Sequence, residues 1–427
     1  MGGLLSAVIV ALAALGAPLF VVILAAAMLG FYLAEIPLTV IAIELYRLVD
    51  TPLLLALPLF TFAGYLLAES QLSSRLVRLA QVFLSWMPGG LAVVAFVTCA
   101  FFTAFTGASG VTIVALGALL YPALIEAGYR ERFSLGLVTT SGSLGLLLAP
   151  SLPLIIYGVI VQQMDLPISF SIQDLFIAGI LPALLMIVLL TGYSLWTNRH
   201  APIVRTRFRR DEALAALNAA KWEIPLPFIV LGGVYSGFFA ISEAAAVTAF
   251  YVLVVEVLIH REVRLQSLPR VVRDAMVMVG GILLILGVSL AFTNVLVDAE
   301  VPQRLFEWIS LFIDNKLTFL ILLNLVLLVL GAILDIFSAL VIMVPLIVPV
   351  ALAFGVDPVH LGIIFLANMQ IGYFTPPIGM NLFIASYRFN RSITELYHAT
   401  IPFMLVLLVA LLIITYVPSL SLGLLDR

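Results

Sequence analysis

Apolar residues fill this chain in long blocks, separated by short polar or Gly/Pro-rich segments, and the blocks do not alternate as membrane-barrel strands would. A bilayer core about 30 Å thick takes roughly 20 residues of helix. The pattern therefore predicts an all-α polytopic membrane protein. Leu4 to Leu33 is apolar with a break at Gly16-Ala17-Pro18, and Glu35 to Asp50 mixes apolar residues with Glu44 and Arg47 as an interfacial arm does. Pro52 to Leu67 is a span; Leu91–Phe105 and Val111–Ile125 are two arms; Phe133–Val161 is interrupted, and Leu175–Trp196 is clean. The second half repeats the theme with Ile224–Ile259, Met276–Val297, a second arm at Pro302–Ile313, the pair Leu317–Leu334 and Ser338–Phe354, the interrupted Leu361–Ala385 and the last span Ile401–Val417.

Four places break helical order inside apolar text: FTGASG at Phe105–Gly110, LLLAPSLP at Leu146–Pro153, LDIFS at Leu334–Ser338 and Thr375-Pro376-Pro377. Backbone groups freed in hydrocarbon must find a partner. Interrupted segments in matching halves are the sequence pointer to a transport site near the midplane. The halves align through Leu135-Gly136 with Leu361-Gly362, Gly145 with Gly372, Pro150 with Pro377, and Pro122 and Gly128 with Pro349 and Gly355.

Charge placement orients the halves. Arg199, Arg205, Arg207, Arg209, Arg210 and Lys221 mark one loop as cytoplasmic, as do Arg261, Arg264, Arg270 and Arg273, while the Asp165–Asp174 loop carries no Lys or Arg. The first interrupted helix then runs outward from Arg130 and Arg132, and the second runs inward from Asp357 to Arg388, which is an inverted repeat. Parity assigns each interrupted helix a single crossing. It assigns the re-entrant hairpins to Leu91–Ile125 and Leu317–Phe354, although two full crossings satisfy parity equally.

Composition narrows the function. The chain is 63% hydrophobic and only 10% charged, against about a quarter charged for soluble domains. Cys99 is the single cysteine, so no intrachain disulfide forms. No basic leader or Ala-x-Ala site precedes the first block, so Met1 onward reads as mature protein. There is no GxxxxGK[ST], no convincing Ser-His-Asp set, and His260, His360 and His398 are too scattered for a metal site, so an enzyme is not expected.

The breaks supply oxygen: Thr103, Thr106, Ser109, Thr112, Ser141, Ser143 and Ser151 in the first half, and Asp335, Ser338, Asn368, Gln370, Thr375 and Asn381 in the second. Carbonyls with such hydroxyls suit sodium, and helix N-termini suit a carboxylate. Each hydroxyl can instead bond back to the preceding turn. Asp335 is either a cation ligand, a cap orienting its tip, or an interfacial residue. Glu243 reads most simply as a helix-start carboxylate.

The text as a whole resembles the large membrane subunit (DctM-like) of tripartite ATP-independent periplasmic (TRAP) transporters. The resemblance rests on FTGASG at 105–110, SGSLGLLLAPSLPLIIYG at 141–158, AISEAAAV at 240–247, GAILDIFSALVIMVPLIVPV at 331–350 and GYFTPPIGMNLF at 372–383. It implies an elevator-type transporter similar to divalent-anion:sodium symporters, importing an organic acid such as a C4-dicarboxylate on a sodium gradient. It implies two or more Na+ per cycle and no organic cofactor. The implied partners are a separate small membrane subunit (DctQ-like), a periplasmic solute-binding protein (DctP-like) and membrane lipid, with no nucleic acid, in the bacterial inner membrane. Rival readings are a stand-alone divalent-anion:sodium symporter and an ion channel.

Carried onto this chain, sodium falls at Ser109 and Gly110 with Gly145, Ala149 and Pro150, and at Asp335 and Ser338 with Gly372, Thr375 and Pro377. Substrate falls at Thr106, Gly107, Ala108, Ser109, Ser151, Ser338, Thr375 and Asn381. Asp335-Ile336 replaces the aspartate-proline wording common in the family. The expected domains are first-repeat scaffold and arm (1–90), first-repeat transport elements (91–163), a connecting span with the basic loop (164–223), second-repeat scaffold and arm (224–313), second-repeat transport elements (314–387) and a C-terminal helix (388–427).

Overall fold

The computed structural model describes residues 2–84, 86, 87, 89–164, 166, 170–200, 209–313 and 315–425, with the side chains of 2–6 and 49 also outside the description. Asp165, Arg205 and Arg207, which enter the charge reading, lie outside the described residues. Within them the regular structure is helical, and eight helices are long and apolar enough to cross a membrane.

The breaks fall where glycine and proline cluster. Helix Gly90–Thr106 ends at Gly107, whose φ of 65° lies in the left-handed region, and Ser109–Ala115 follows, bent by 49° against Gly117–Glu126. Glu131–Ser141 gives way to a 3-10 turn at Leu144–Leu147 before Leu152–Gln163 begins. In the second half, Lys316–Ile333 is followed by Ile336–Ala353 with only Leu334 and Asp335 between them, and Pro358–Gly372 by Met380–Phe389. The bonds Ala149–Pro150 and Pro376–Pro377 are cis.

The interrupted helices form the centre of the molecule. All fifteen residues of Pro358–Gly372 are buried, as is most of Glu131–Gln163. Other helices bury one side and turn a second apolar side outward. On Lys316–Ile333 the exposed residues Leu317, Ile321, Leu325, Val329 and Ile333 recur every fourth position. Such a stripe is what a helix between a protein core and lipid requires. The 31-residue helix Leu268–Asp298 packs on Leu19–Leu33, Thr39–Val49, Ala56–Glu69 and Ile336–Ala353.

Side-chain caps set several helix starts. Asn315 accepts from Thr318 N–H, Asp357 from Val359 and His360 N–H, and Ser392 from Glu395 N–H. Glu243 accepts the Ala240 N–H at 2.9 Å, so its carboxylate closes the first turn of Ile241–Leu253. His360 lies buried inside its helix, with Ser421 Oγ and Thr415 O each 3.2 Å from its ring nitrogens.

One network was not anticipated from sequence. Arg75 lies 2.6 Å from Glu223 and 3.3 Å from Glu256, and it also pairs with Glu262. Glu262 takes the Gln71 N–H as well, at 2.8 Å. These residues stand on Leu72–Leu84, the turn before Pro225–Tyr235, and the π-helical segment Val254–Ile259 with its sequel, so the guanidinium ties distant stretches of chain together.

Candidate transport site

The helix pairs Gly90–Thr106 with Ser109–Ala115 and Lys316–Ile333 with Ile336–Ala353 are each fastened to the interrupted helix that follows. In the first half, Thr103 Oγ1 donates to Gly142 O at 2.8 Å and lies 2.6 Å from Thr112 Oγ1. Glycine is needed at Gly145 because a Cβ there would stand 2.0 Å from Ala100 O. A Cβ on Gly142 would lie 3.2 Å from Ser109 O, so the Ser109 carbonyl reaches the first break. Gly107 rests against Leu152, the first residue of the resumed helix. Within the break, Ser151 Oγ donates to Leu146 O at 2.8 Å, and Ala149 and Pro150 form its cis bond.

The second half uses different bonds for the same purpose. Gly379 N–H donates to Ala332 O at 3.0 Å, and Gly372 packs directly on the Gly331 backbone. Asp335 Oδ1 accepts the Phe337 and Ser338 N–H groups at 3.0 Å each, and Oδ2 accepts the Ser338 hydroxyl. Of the alternatives for Asp335, capping is therefore present in the structure. The Ile336 N–H goes to the Tyr373 hydroxyl at 2.9 Å. Thr375 Oγ1 bonds back to Ile371 O at 2.8 Å, and Pro377 O accepts from the Tyr397 hydroxyl.

Beside the breaks, two of the bonds between the halves stand out. Ser109 Oγ donates to Asn381 Oδ1 at 2.7 Å, and Ser143 Oγ to Gln370 O at 3.1 Å. Gly110 packs on Ile384, so the helix after the first tip lies along Met380–Phe389. Of the residues expected from sequence, Ser109, Gly110 and Asn381 form one contiguous group. Asp335, Ser338 and Gly372 form a second, with Tyr373 between them. Thr106 is buried beside Gly107 and Ala108 at the first tip, while Ser151 and Thr375 direct their hydroxyls into their own turns.

Several buried polar atoms flanking the breaks have no hydrogen-bond partner among the described residues: Thr140 Oγ1, Asn368 Oδ1, Gln370 Oε1 and Asn381 Nδ2. Leaving one such group unpaired costs about 1–3 kcal/mol, a deficit that a bound ion, anion or water relieves. Gly142 and Tyr373 were not among the expected residues, and Thr103 entered only as one of the hydroxyls that the first half offers. A phenol next to the Gly-Tyr-Phe-Thr-Pro-Pro break was the available signal for Tyr373, since a buried tyrosine hydroxyl usually finds a partner.

A polytopic helical protein whose central helices open at two places, with polar groups gathered at the openings, belongs to the class of membrane transporters. The chain is a member of the family described as "Tripartite ATP-independent periplasmic transporter, DctM component", whose model matches residues 6–420. It is a multi-pass inner-membrane permease and not an enzyme.

It is 36% identical over 388 residues to the isethionate TRAP transporter permease protein DctMQ of Oleidesulfovibrio alaskensis, covering 90% of this chain and 60% of that protein's length. It is 33% identical to the C4-dicarboxylate TRAP transporter large permease protein DctM of Rhodobacter capsulatus, covering 92% of this chain and 91% of the relative. Among solved structures, the YdaH transporter of Alcanivorax borkumensis shares the fold, with a TM-score of 0.61 at 14% identity over 88% of this chain and 86% of that one.

Proposed function

We propose that this chain imports an organic acid anion by sodium-coupled secondary transport, receiving it from a periplasmic solute-binding protein and working beside a small membrane subunit. The relatives' names span isethionate, C4-dicarboxylates, ectoine and sialic acid, so the substrate class is a small carboxylate or sulfonate, with a C4-dicarboxylate the first choice. The observation that carries the reading is the Ser109–Asn381 bond. It brings the first tip onto the second break, and the same asparagine keeps a buried, uncommitted Nδ2 donor suited to an anion's oxygen.

Sodium is a co-substrate in this scheme. One ion takes oxygens near Ser109, Gly110 and the first break, and a second takes those around Asp335 and Ser338 with Gly372, Thr375 and Pro377 at the second break. Moving one charge against the membrane potential costs about 2.3 kcal/mol per 100 mV. Two or more sodium ions per dianion make the step electrically neutral or favourable. The hairpins act as re-entrant tips of an inverted repeat, and residues 91–163 and 314–387 move as an elevator against a scaffold of 1–90 and 224–313.

Reconstitution of the chain with its small subunit and binding protein in proteoliposomes tests this. Uptake of a radiolabelled C4-dicarboxylate should require both the binding protein and an inward sodium gradient. Uptake that is unaffected by removing the sodium gradient, and still concentrates the anion with no membrane potential imposed, overturns the coupling.

A further inference from the structure

The second break holds a tyrosine whose role follows from counting donors. A helix start leaves its first N–H groups without intrahelical partners. At Ile336–Ala353 three of these are accounted for: Phe337 and Ser338 N–H bond to Asp335 Oδ1, and Ile336 N–H bonds to the Tyr373 hydroxyl. An ionised carboxylate offers about four lone-pair positions. Oδ1 spends two on amides and Oδ2 spends one on the Ser338 hydroxyl. One position on Oδ2 remains for a further ligand. Were the tyrosine hydroxyl absent, the buried Ile336 amide would be a third backbone donor competing for the same carboxylate.

Tyr373 is also anchored at its other end. Its carbonyl accepts Asn381 N–H at 2.8 Å, its N–H donates to Met369 O at 3.1 Å, and the residue is only 5% exposed. The neighbouring Gly372 packs on Gly331 with no room for a Cβ. The phenol is thus held between the second tip and the second break. In the first half the corresponding fastening is the Thr103 hydroxyl on Gly142 O, which leaves a helix-start amide untouched.

We propose that Tyr373 is a positioning residue for the cation at the second break: by taking the Ile336 amide, it keeps Asp335 Oδ2 aimed at, and available to, the sodium ion. The inference rests on the reading of Asp335 and Ser338 as sodium ligands given above. It concerns a residue that touches neither ion nor substrate and acts through Asp335.

Proline at the first helical position has no N–H and a φ suited to that position. Asp335, with φ −70° and ψ 156°, already has the extended conformation that precedes proline comfortably. Ile336→Pro therefore removes the donor that the tyrosine hydroxyl serves, and supplies a rescue that a packing role for Tyr373 would not show.

The experiment measures thermal unfolding of the purified full chain as NaCl replaces choline chloride at constant ionic strength, in four forms: wild type, Tyr373→Phe, Ile336→Pro and the double variant. Wild type should be stabilised by sodium. Tyr373→Phe should raise the half-saturating sodium concentration by about tenfold, the upper end of the effect of one lost neutral hydrogen bond, with its melting temperature in choline within about 2 °C of wild type. Ile336→Pro and the double variant should both bind sodium within about twofold of wild type, because in neither does an amide at position 336 compete for Asp335.

A Tyr373→Phe protein that melts lower in choline but keeps wild-type sodium affinity overturns the inference, as does failure of Ile336→Pro to rescue it. If Tyr373→Phe does not fold, the comparison of Ile336→Pro with the double variant decides, and weaker sodium binding in the double variant overturns it. Absence of any sodium-specific shift in wild type overturns the coupling reading itself, and this inference with it.

Discussion

Ser109 and Asn381 are 272 positions apart, yet the serine hydroxyl donates to the asparagine Oδ1 at 2.7 Å, both side chains buried. This bond uses the amide's Oδ1 and leaves Nδ2 with no partner among the described residues. A buried donor left open in this way is costly unless something fills it, which suits a site that is loaded and emptied in turn.

Asn381→Asp tests the donor. It keeps shape and an acceptor for Ser109 but replaces the N–H2 by a carboxylate oxygen. The expected result in proteoliposome uptake is a rise in KM for the anion of about tenfold or more, since a hydrogen bond to a charged group contributes about 1.5–3 kcal/mol. Ser109→Ala should have a smaller effect, roughly fivefold, for loss of one neutral hydrogen bond.

Asp335 separates capping from charge. Asn at the same position caps a helix about as well as Asp, whereas Ala costs roughly 1 kcal/mol. Asp335→Asn should therefore retain the melting temperature measured without sodium while losing the sodium-induced shift. Asp335→Ala should lose both. A sodium shift undiminished in Asp335→Asn would remove the carboxylate from the coupling scheme.

Glycine contacts give predictions of opposite sign. Gly145→Ala would drive a methyl to 2.0 Å from Ala100 O, and Gly372→Ala to 2.4 Å from the Gly331 carbonyl carbon. Neither neighbour is a side chain that can swing away, so each should destabilise by about 1–3 kcal/mol or more, seen as a lower melting temperature and less monodisperse protein. Gly192, inside Ile180–Thr197, has nothing within 4 Å of a new Cβ. Gly192→Ala should be neutral or stabilise by up to about 1 kcal/mol.

Arg75 faces three carboxylates with its own side chain 10% exposed. Burial alone would loosen its proton, but Glu223, Glu262 and Glu256 outweigh this and hold it more tightly than in an ordinary arginine. Removing one partner of a buried pair costs about 3–5 kcal/mol because charge is left uncompensated. Arg75→Ala should therefore lower the melting temperature sharply, and Arg75→Lys should restore only part of it, since an ammonium cannot serve several carboxylates with a planar fork. Substituting Glu256 by Gln in the Arg75→Ala background should recover part of the loss.

Much of the architecture was legible because a bilayer leaves few choices. FTGASG, LLLAPSLP, LDIFS and TPP coincide with the helix interruptions after Thr106, Ser141, Ile333 and Gly372. Polar, glycine and proline residues inside apolar text have little other use there. The family was legible for the same reason, as an ordered set of such interruptions. The Arg75 network was not: its members sit among many basic and acidic residues at block ends, and nothing in their spacing says which will meet. Tyr373 was passed over because one aromatic residue in an apolar stretch is usually filler.

Hydrophobic block length and the position of helix-breaking residues fixed, from the chain alone, that this protein is all-helical, embedded in a membrane, and interrupted where backbone groups seek partners. Those are local properties, set by the cost of exposing peptide groups to hydrocarbon. Only the folded molecule decided that Ser109 reaches Asn381, that Tyr373 takes the Ile336 amide, and that Arg75 gathers three glutamates. Hydrogen bonds between remote residues depend on how helices cross, and crossing is determined by close contacts such as Gly331 on Gly372, which carry no signature along the sequence.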